Sequence, residues 1–210
     1  MSKKINILLG ILMFCFFSMS AMTEQQKQDV ITKLNQTSAS IQTMSANFSQ
    51  TKYLSMLSDK MVSDGKIYYS KSDKLRWEYT SPYQYLFIFN GTKVYVGNNS
   101  KQNIIDTNTN KVFKEIARIM MNTVTGTALS NNGDFEIALS EDNNQWIVTL
   151  TPKKKELKSM FTKVVLYFNK KSNIVSEINI FEKNGDRTNI KFSGIQTNKS
   201  IDATLFNIPK

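Results

Sequence analysis

Between residues 65 and 96 the chain reads GKIYYSKSDKLRWEYTSPYQYLFIFNGTKVYV, and a stretch of this kind admits few folds. Leu75, Trp77 and Tyr79 alternate with Arg76 and Glu78, so an extended segment here has one apolar and one charged face. Polar punctuation at residues 71–73, at Ser81-Pro82 and at Asn90-Gly91 divides the stretch into four short strands. Asn-Gly between two apolar runs is the strongest short-range hairpin signal. The pattern predicts an aromatic-rich antiparallel sheet whose apolar face has to be covered.

Two other segments can cover it. Residues 24–44 predict an amphipathic helix capped by Thr23, with Val30, Ile31, Leu34, Ile41 and Met44 as its stripe. Residues 111–121, KVFKEIARIMM, place Val112, Phe113, Ile116, Ile119 and Met120 on one side and Lys114, Glu115 and Arg118 on the other. A short turn over 123–129, broken at Gly126, is expected to follow. Strands are expected at 45–57, with Phe48 as the clearest apolar residue, and at 102–106, 134–139, 145–151, 161–168, 174–181 and 187–192. Asn- and Gly-rich turns separate them at spacings that suit antiparallel neighbours. Lys153-Lys154-Lys155 reads as a solvated loop. The chain is therefore expected to be α+β and a single domain. Its sheet is read as a curved, incomplete antiparallel β-barrel of about ten or eleven strands, with an N-terminal helix and a mid-chain helical lid over an apolar cavity.

The first 21 residues read as a cleaved secretory signal peptide, leaving 22–210 as the domain. Lys3 and Lys4 precede an apolar run from Ile5 to Phe17, and small residues Ser18, Ser20 and Ala21 follow. An uncleaved membrane anchor, or a lipoprotein signal acylated at Cys15, are the alternatives. Without the leader no cysteine remains, which suits export to a bacterial periplasm with a core that stands without disulfides.

The chain has no histidine, so Ser-His-Asp and Cys-His catalysis is excluded and the usual zinc ligands are missing. Its carboxylates are scattered rather than paired. No enzyme activity, metal or cofactor is expected. A formal charge of +10 could serve nucleic acid, an anionic membrane or an acidic partner. Export argues against nucleic acid, and a monomer is expected.

Several short motifs occur in a telling order: Phe48-Ser-Gln50, Gly65-Lys-Ile67, Leu75-Arg-Trp77-Glu-Tyr79, Pro82, Asn90-Gly91, and at the end Phe192, Ile201-Asp202, Phe206 and Pro209. In this the chain resembles the LolA family, periplasmic carriers that ferry lipoproteins from the inner to the outer membrane. The resemblance implies an open barrel whose acyl-chain-binding residues are Phe48, Leu75, Trp77, Tyr79, Val112, Phe113, Ile116, Ile119 and Met120. On that basis Leu75→Glu is expected to abolish binding in a folded protein. Where many members have Arg-Pro, with the arginine holding the lid shut, this chain has Lys71-Ser72. Lys71 is thus the candidate latch, with a weaker grip or with the latch placed elsewhere. The family also implies acylated lipoproteins as cargo, an inner-membrane lipoprotein-releasing ABC transporter and an outer-membrane acceptor. Two alternatives stay open: a carrier of another acylated or polyene lipid, and a non-transport module that senses lipoproteins or a peptide.

Overall fold

A computed structural model describes residues 22–57, 59–71, 73–98, 100–130 and 133–209. The expected leader, with Cys15, lies outside them, and so does Ser72. Two antiparallel meanders make up one eleven-stranded sheet. The first runs β1 (Thr43–Leu54), β2 (Asp59–Ser70), β3 (Lys74–Ser81), β4 (Tyr85–Asn90), β5 (Lys93–Gly97) and β6 (Gln102–Asp106). The second runs β7 (Phe135–Glu141), β8 (Gln145–Pro152), β9 (Phe161–Asn169), β10 (Val175–Glu182) and β11 (Arg187–Thr197). Only the pairing of β1 with β11 joins them, so the spatial order is β6-β5-β4-β3-β2-β1-β11-β10-β9-β8-β7. β6 and β7 are free edges, which makes the barrel an open one.

Three helices accompany the sheet among the described residues. α1 (Glu24–Ser40) begins with a capping box between Thr23 and Gln26. It buries Leu34 and Ser38, with Val30 and Ile31 packed on the core. The helix stops four residues before the expected end. Ile41 is its C-cap and Met44 already belongs to β1, although both are buried as their spacing required. An apolar residue satisfies a helical or a strand pattern equally well at such a junction, so the period alone misplaced the boundary.

α2 (Lys111–Thr125) is the mid-chain helix. Asn110 caps it, accepting from the Phe113 backbone N–H, and Gly126 ends it at φ 82°. A Cβ on Gly126 would lie 2.7 Å from both Phe168 Cε1 and Ser38 Oγ, so this turn is packed as well as left-handed. A 3-10 turn, Thr127–Ser130, buries Ala128 and Leu129 beside α1. The third helix, α3 (Lys155–Met160), stands where a solvated lysine loop was expected; its single buried side chain, Leu157, anchors it.

Phe48, Gly65 and Tyr79 lie abreast on β1, β2 and β3. The Phe48 ring crosses over Gly65 to meet Trp77 at 4.9 Å and Tyr79 at 5.2 Å between ring centroids. A Cβ at residue 65 would sit 2.5 Å from Phe48 Cζ and 2.0 Å from the Glu78 carbonyl oxygen. Glycine is what lets an aromatic bridge two strands that are not neighbours. On the opposite face of the sheet Phe206, in a C-terminal 3-10 turn, is buried against β3 and β4. Arg76 points that way and donates to the Leu205 carbonyl at 3.2 Å.

Candidate functional site

Side chains of β1, β3, β9, β10 and β11 line one cavity of about 240 Å³ beneath α2. β3 and β9 stand five places apart in the sheet, which would separate them by roughly 24 Å if it were flat. That Trp77 and Val164 both line so small a cavity shows how far the sheet curves round it. The lining is mostly aliphatic and aromatic, with Gln50, Thr123 and Thr188 as its polar members besides the Tyr79 hydroxyl, and includes no lysine, arginine or carboxylate. No helix among the described residues is long and apolar enough to cross a membrane.

Five of the residues singled out from sequence meet here: Trp77 and Tyr79 from the wall, Ile116, Ile119 and Met120 from the roof. Phe48 and Leu75 lie behind that surface. Phe48 supports Trp77 and Tyr79 with its ring, and Leu75 is 0 % exposed in the core. A glutamate at Leu75 would therefore disrupt the core itself, so it cannot serve as a binding variant of a folded protein. Phe113 is half-buried against the core without lining the cavity. The Val112 side chain lies outside the described residues. The lining also takes in Phe135, Met160, Phe161, Ile178, Ile180 and Ile190, which sequence reading did not single out. Inward alternation on each strand was the available signal; which inward positions meet depends on the curvature.

The polar contacts of the lining are local. Tyr79 donates its hydroxyl to Gln50 Oε1 at 3.0 Å. Burial pushes the Tyr79 pKa up against the opposing effect of that bond and of a side-chain hydrogen bond with Trp77, so it stays a neutral phenol. Thr123 returns its hydroxyl to the Ile119 carbonyl at 2.7 Å, a bond inside α2.

Two sets of contacts hold the helical cover. Lys71 Nζ donates to the Ala39 carbonyl at 3.0 Å, in the last turn of α1 rather than on α2. Asn198 secures the same helix end, with Nδ2 3.2 Å from the Ser40 carbonyl and Oδ1 2.7 Å from the Gln42 backbone N–H. Such bonds satisfy carbonyls that a helix terminus leaves open. α2 is held differently. Arg118 Nη2 lies 2.6 Å from Asp134 Oδ2, and Lys154 Nζ lies 2.6 Å from Asp134 Oδ1. Arg118 also pairs with Glu115 through Nε at 3.0 Å. Burial pushes the Asp134 carboxyl up, but Lys154 and Arg118 outweigh it and hold it below the ordinary value. Asp134 thus joins α2, the start of β7 and the start of α3.

A curved open sheet around an apolar, helix-covered cavity has the form of a site that encloses an apolar ligand. The family described as "Outer membrane lipoprotein carrier protein LolA" matches residues 39–209, and the chain belongs to that family. An outer-membrane lipoprotein carrier protein of Pseudomonas syringae pv. syringae is 24% identical over 182 residues, covering 86% of this chain and 84% of that protein. One from Coxiella burnetii is 25% identical over 209 residues, covering 96% and 92%. Among solved structures, an uncharacterized conserved protein from Thermus thermophilus shares the fold with a TM-score of 0.55 at 10% identity, covering 88% of this chain and 94% of that one.

Proposed function

We propose that the chain is a periplasmic carrier that takes the acyl chains of lipoproteins into the cavity under α2 and ferries them from the inner to the outer membrane. The observation that carries this reading is an apolar cavity whose roof is a single helix pinned at its edge, in a family named for that task. Each methylene exposed to water costs roughly 0.8 kcal/mol, so an acylated protein cannot cross an aqueous compartment unshielded.

At about 240 Å³ the resting cavity is smaller than the roughly 300–1,000 Å³ of sites that enclose drug-sized ligands. Two or three acyl chains need more room than this. Loading therefore displaces α2, and its return helps to expel cargo. Met120 and Met160 in the lining suit a surface that repacks around different chains. The carrier performs no chemistry, and the energy for loading comes from an inner-membrane lipoprotein-releasing ABC transporter; an outer-membrane acceptor receives the cargo.

Native mass spectrometry of the protein taken from periplasm tests the reading. A bound acylated lipoprotein is the expected result, lost when Ile119→Glu places a charge in the roof. A free lipid in the cavity would instead make this a carrier of another lipid. An empty protein that fails to take up lipoprotein would overturn transport altogether.

A further inference from the structure

Antiparallel pairing brings the β1–β2, β3–β4 and β10–β11 turns and α3 to the same end of the sheet. Exposed apolar side chains scattered singly are ordinary, but here they are gathered. Nine large ones are exposed among the described residues, and all but Ile104 lie at or beside this end. Five belong to the β1–β2 hairpin: Tyr53, Met56, Leu57, Met61 and Val62, with Met56 93 % and Leu57 69 % exposed at its tip. Ser55 fastens that hairpin to the β10–β11 turn through Asp186 and Asn184. Within the turn, Lys183 donates its backbone N–H to the Met160 carbonyl, at the end of α3, at 2.9 Å. Met160 is itself exposed and also lines the cavity. The apolar tip and the cavity thus share one braced edge.

The charge along this edge is mainly positive. Strand register sets Lys60, Tyr53, Arg187, Phe181 and Lys163 abreast on β2, β1, β11, β10 and β9. Arg187 lies 4.2 Å from the Tyr53 ring centroid and Lys163 Nζ 4.6 Å from that of Phe181, so cation and aromatic alternate. Lys158 and Lys183 are exposed beside them. Lys52 takes up Glu182 and Asp186 at 3.1 and 3.6 Å, which leaves Asp59 and Glu156 as the other carboxylates at these turns. A protein partner would have to offer a hollow for the tip and acids for the cations. A fluid anionic bilayer supplies both without a shape match, and aromatic rings settle at its boundary. We propose that this edge docks on an anionic phospholipid bilayer. Met56 and Leu57 enter the boundary between headgroups and acyl chains, while Lys60, Lys163, Lys183 and Arg187 meet lipid phosphates. Docking brings the Met160 side of the cavity to the bilayer. The proposal goes beyond the carrier reading and does not rest on it, because the contact is with bulk lipid rather than with cargo.

Sedimentation of the purified mature protein with lipid vesicles tests it. Vesicles of phosphatidylglycerol and phosphatidylcholine in a roughly 1:2 ratio should bind at least about ten-fold more tightly than phosphatidylcholine alone, and less as salt rises. Met56→Ser combined with Leu57→Ser should weaken that binding about ten-fold or more, and Lys183→Gln about three- to five-fold. All three side chains are exposed, so an unchanged Tm shows that the variants stay folded. Residues 22–210 contain no cysteine, so Met56→Cys carries a single environment-sensitive fluorophore. Its emission should shift to the blue on the anionic vesicles. The same label at Lys171→Cys, in the β9–β10 turn at the opposite end, should not respond. Absence of vesicle binding, or binding that ignores the double substitution and reports equally at both labels, overturns the docking edge and leaves the carrier reading intact. A dimer that the double substitution dissolves, with no vesicle binding, overturns it too and assigns the edge to a second copy of the chain. Vesicle binding through Met56 in a protein that takes up no lipoprotein would uphold the docking edge while the carrier reading fell.

Discussion

Arg118 on α2 and Asp134 before β7 meet at 2.6 Å, and through them the roof of the cavity is pinned to the far half of the sheet. Asp134 is 2 % exposed and serves Lys154 as well, so its loss leaves two cations without their shared partner. Removing one member of a buried pair costs several kcal/mol; here Arg118 and Lys154 reach solvent, which reduces the cost to about 1–3 kcal/mol. Asp134→Asn should lower Tm by several degrees. Amide hydrogen exchange should accelerate in α2 more than in β1 or β11. Arg118→Lys keeps the charge but not the fork that grips Glu115 and Asp134 together, and should reproduce most of the α2 effect.

The same carboxylate makes stability depend on pH. Its folded value lies below the ordinary 3.8, so its contribution is complete above about pH 4 and fades as pH falls through the folded value. The difference in Tm between wild type and Asp134→Asn should be full at about pH 7 and shrink at about pH 2–3. Thermal melts of both proteins across that range check the sign. A gap that widened on acidification would contradict it.

Gly65→Ala should be among the most damaging single-methyl additions in the sheet. The new Cβ would meet the Glu78 carbonyl oxygen, which belongs to the β3 backbone and cannot swing aside. Overpacking of this sort costs about 1–3 kcal/mol, and more when backbone has to move. The measurement is Tm together with Trp77 emission, since displacing Phe48 also loosens the Trp77 ring.

Methionine oxidation should follow the folded surface closely. Met56, at the tip of the β1–β2 hairpin, is 93 % exposed, while Met44 is 0 % exposed. Peptide mapping after mild peroxide treatment should find sulfoxide at Met56 well before Met44. The hairpin itself should stay in place, because Ser55 N–H donates to Asp186 Oδ1 at 3.0 Å and its hydroxyl to the Asn184 carbonyl at 3.1 Å.

Most strands and the mid-chain helix were readable from sequence because their signals are local. Asn90-Gly91, Asn184-Gly185 and the alternation of Leu75, Trp77 and Tyr79 each act within a few residues. What could not be read depended on distance. Phe135, Phe161 and Ile190 line the cavity only because the sheet curves, and no local period reports curvature. Leu75 shares the inward face of Trp77 yet lies behind the lining for the same reason. α3 was hidden because Lys153, Lys154 and Lys155 look like loop, while its anchor Leu157 is a lone apolar residue. The hold on α2 was invisible for another reason: Arg118 sat on the polar side of a predicted helix, where a charge normally faces water, and its partner Asp134 was hidden in a turn.

The joint between β1 and β11 bears on how the molecule comes into being. Every other ladder in the sheet joins strands that follow one another in the chain, at little cost in loop entropy, and such ladders form quickly. Pairing Phe48 with Phe192 and Gln50 with Ile190 needs the two ends of the domain to find each other, so this seam is expected to close last. It also runs through the cavity wall, with Gln50 on one side and Ile190 on the other. A partly folded chain thus has no enclosed cavity, and the apolar chamber arrives together with the finished fold.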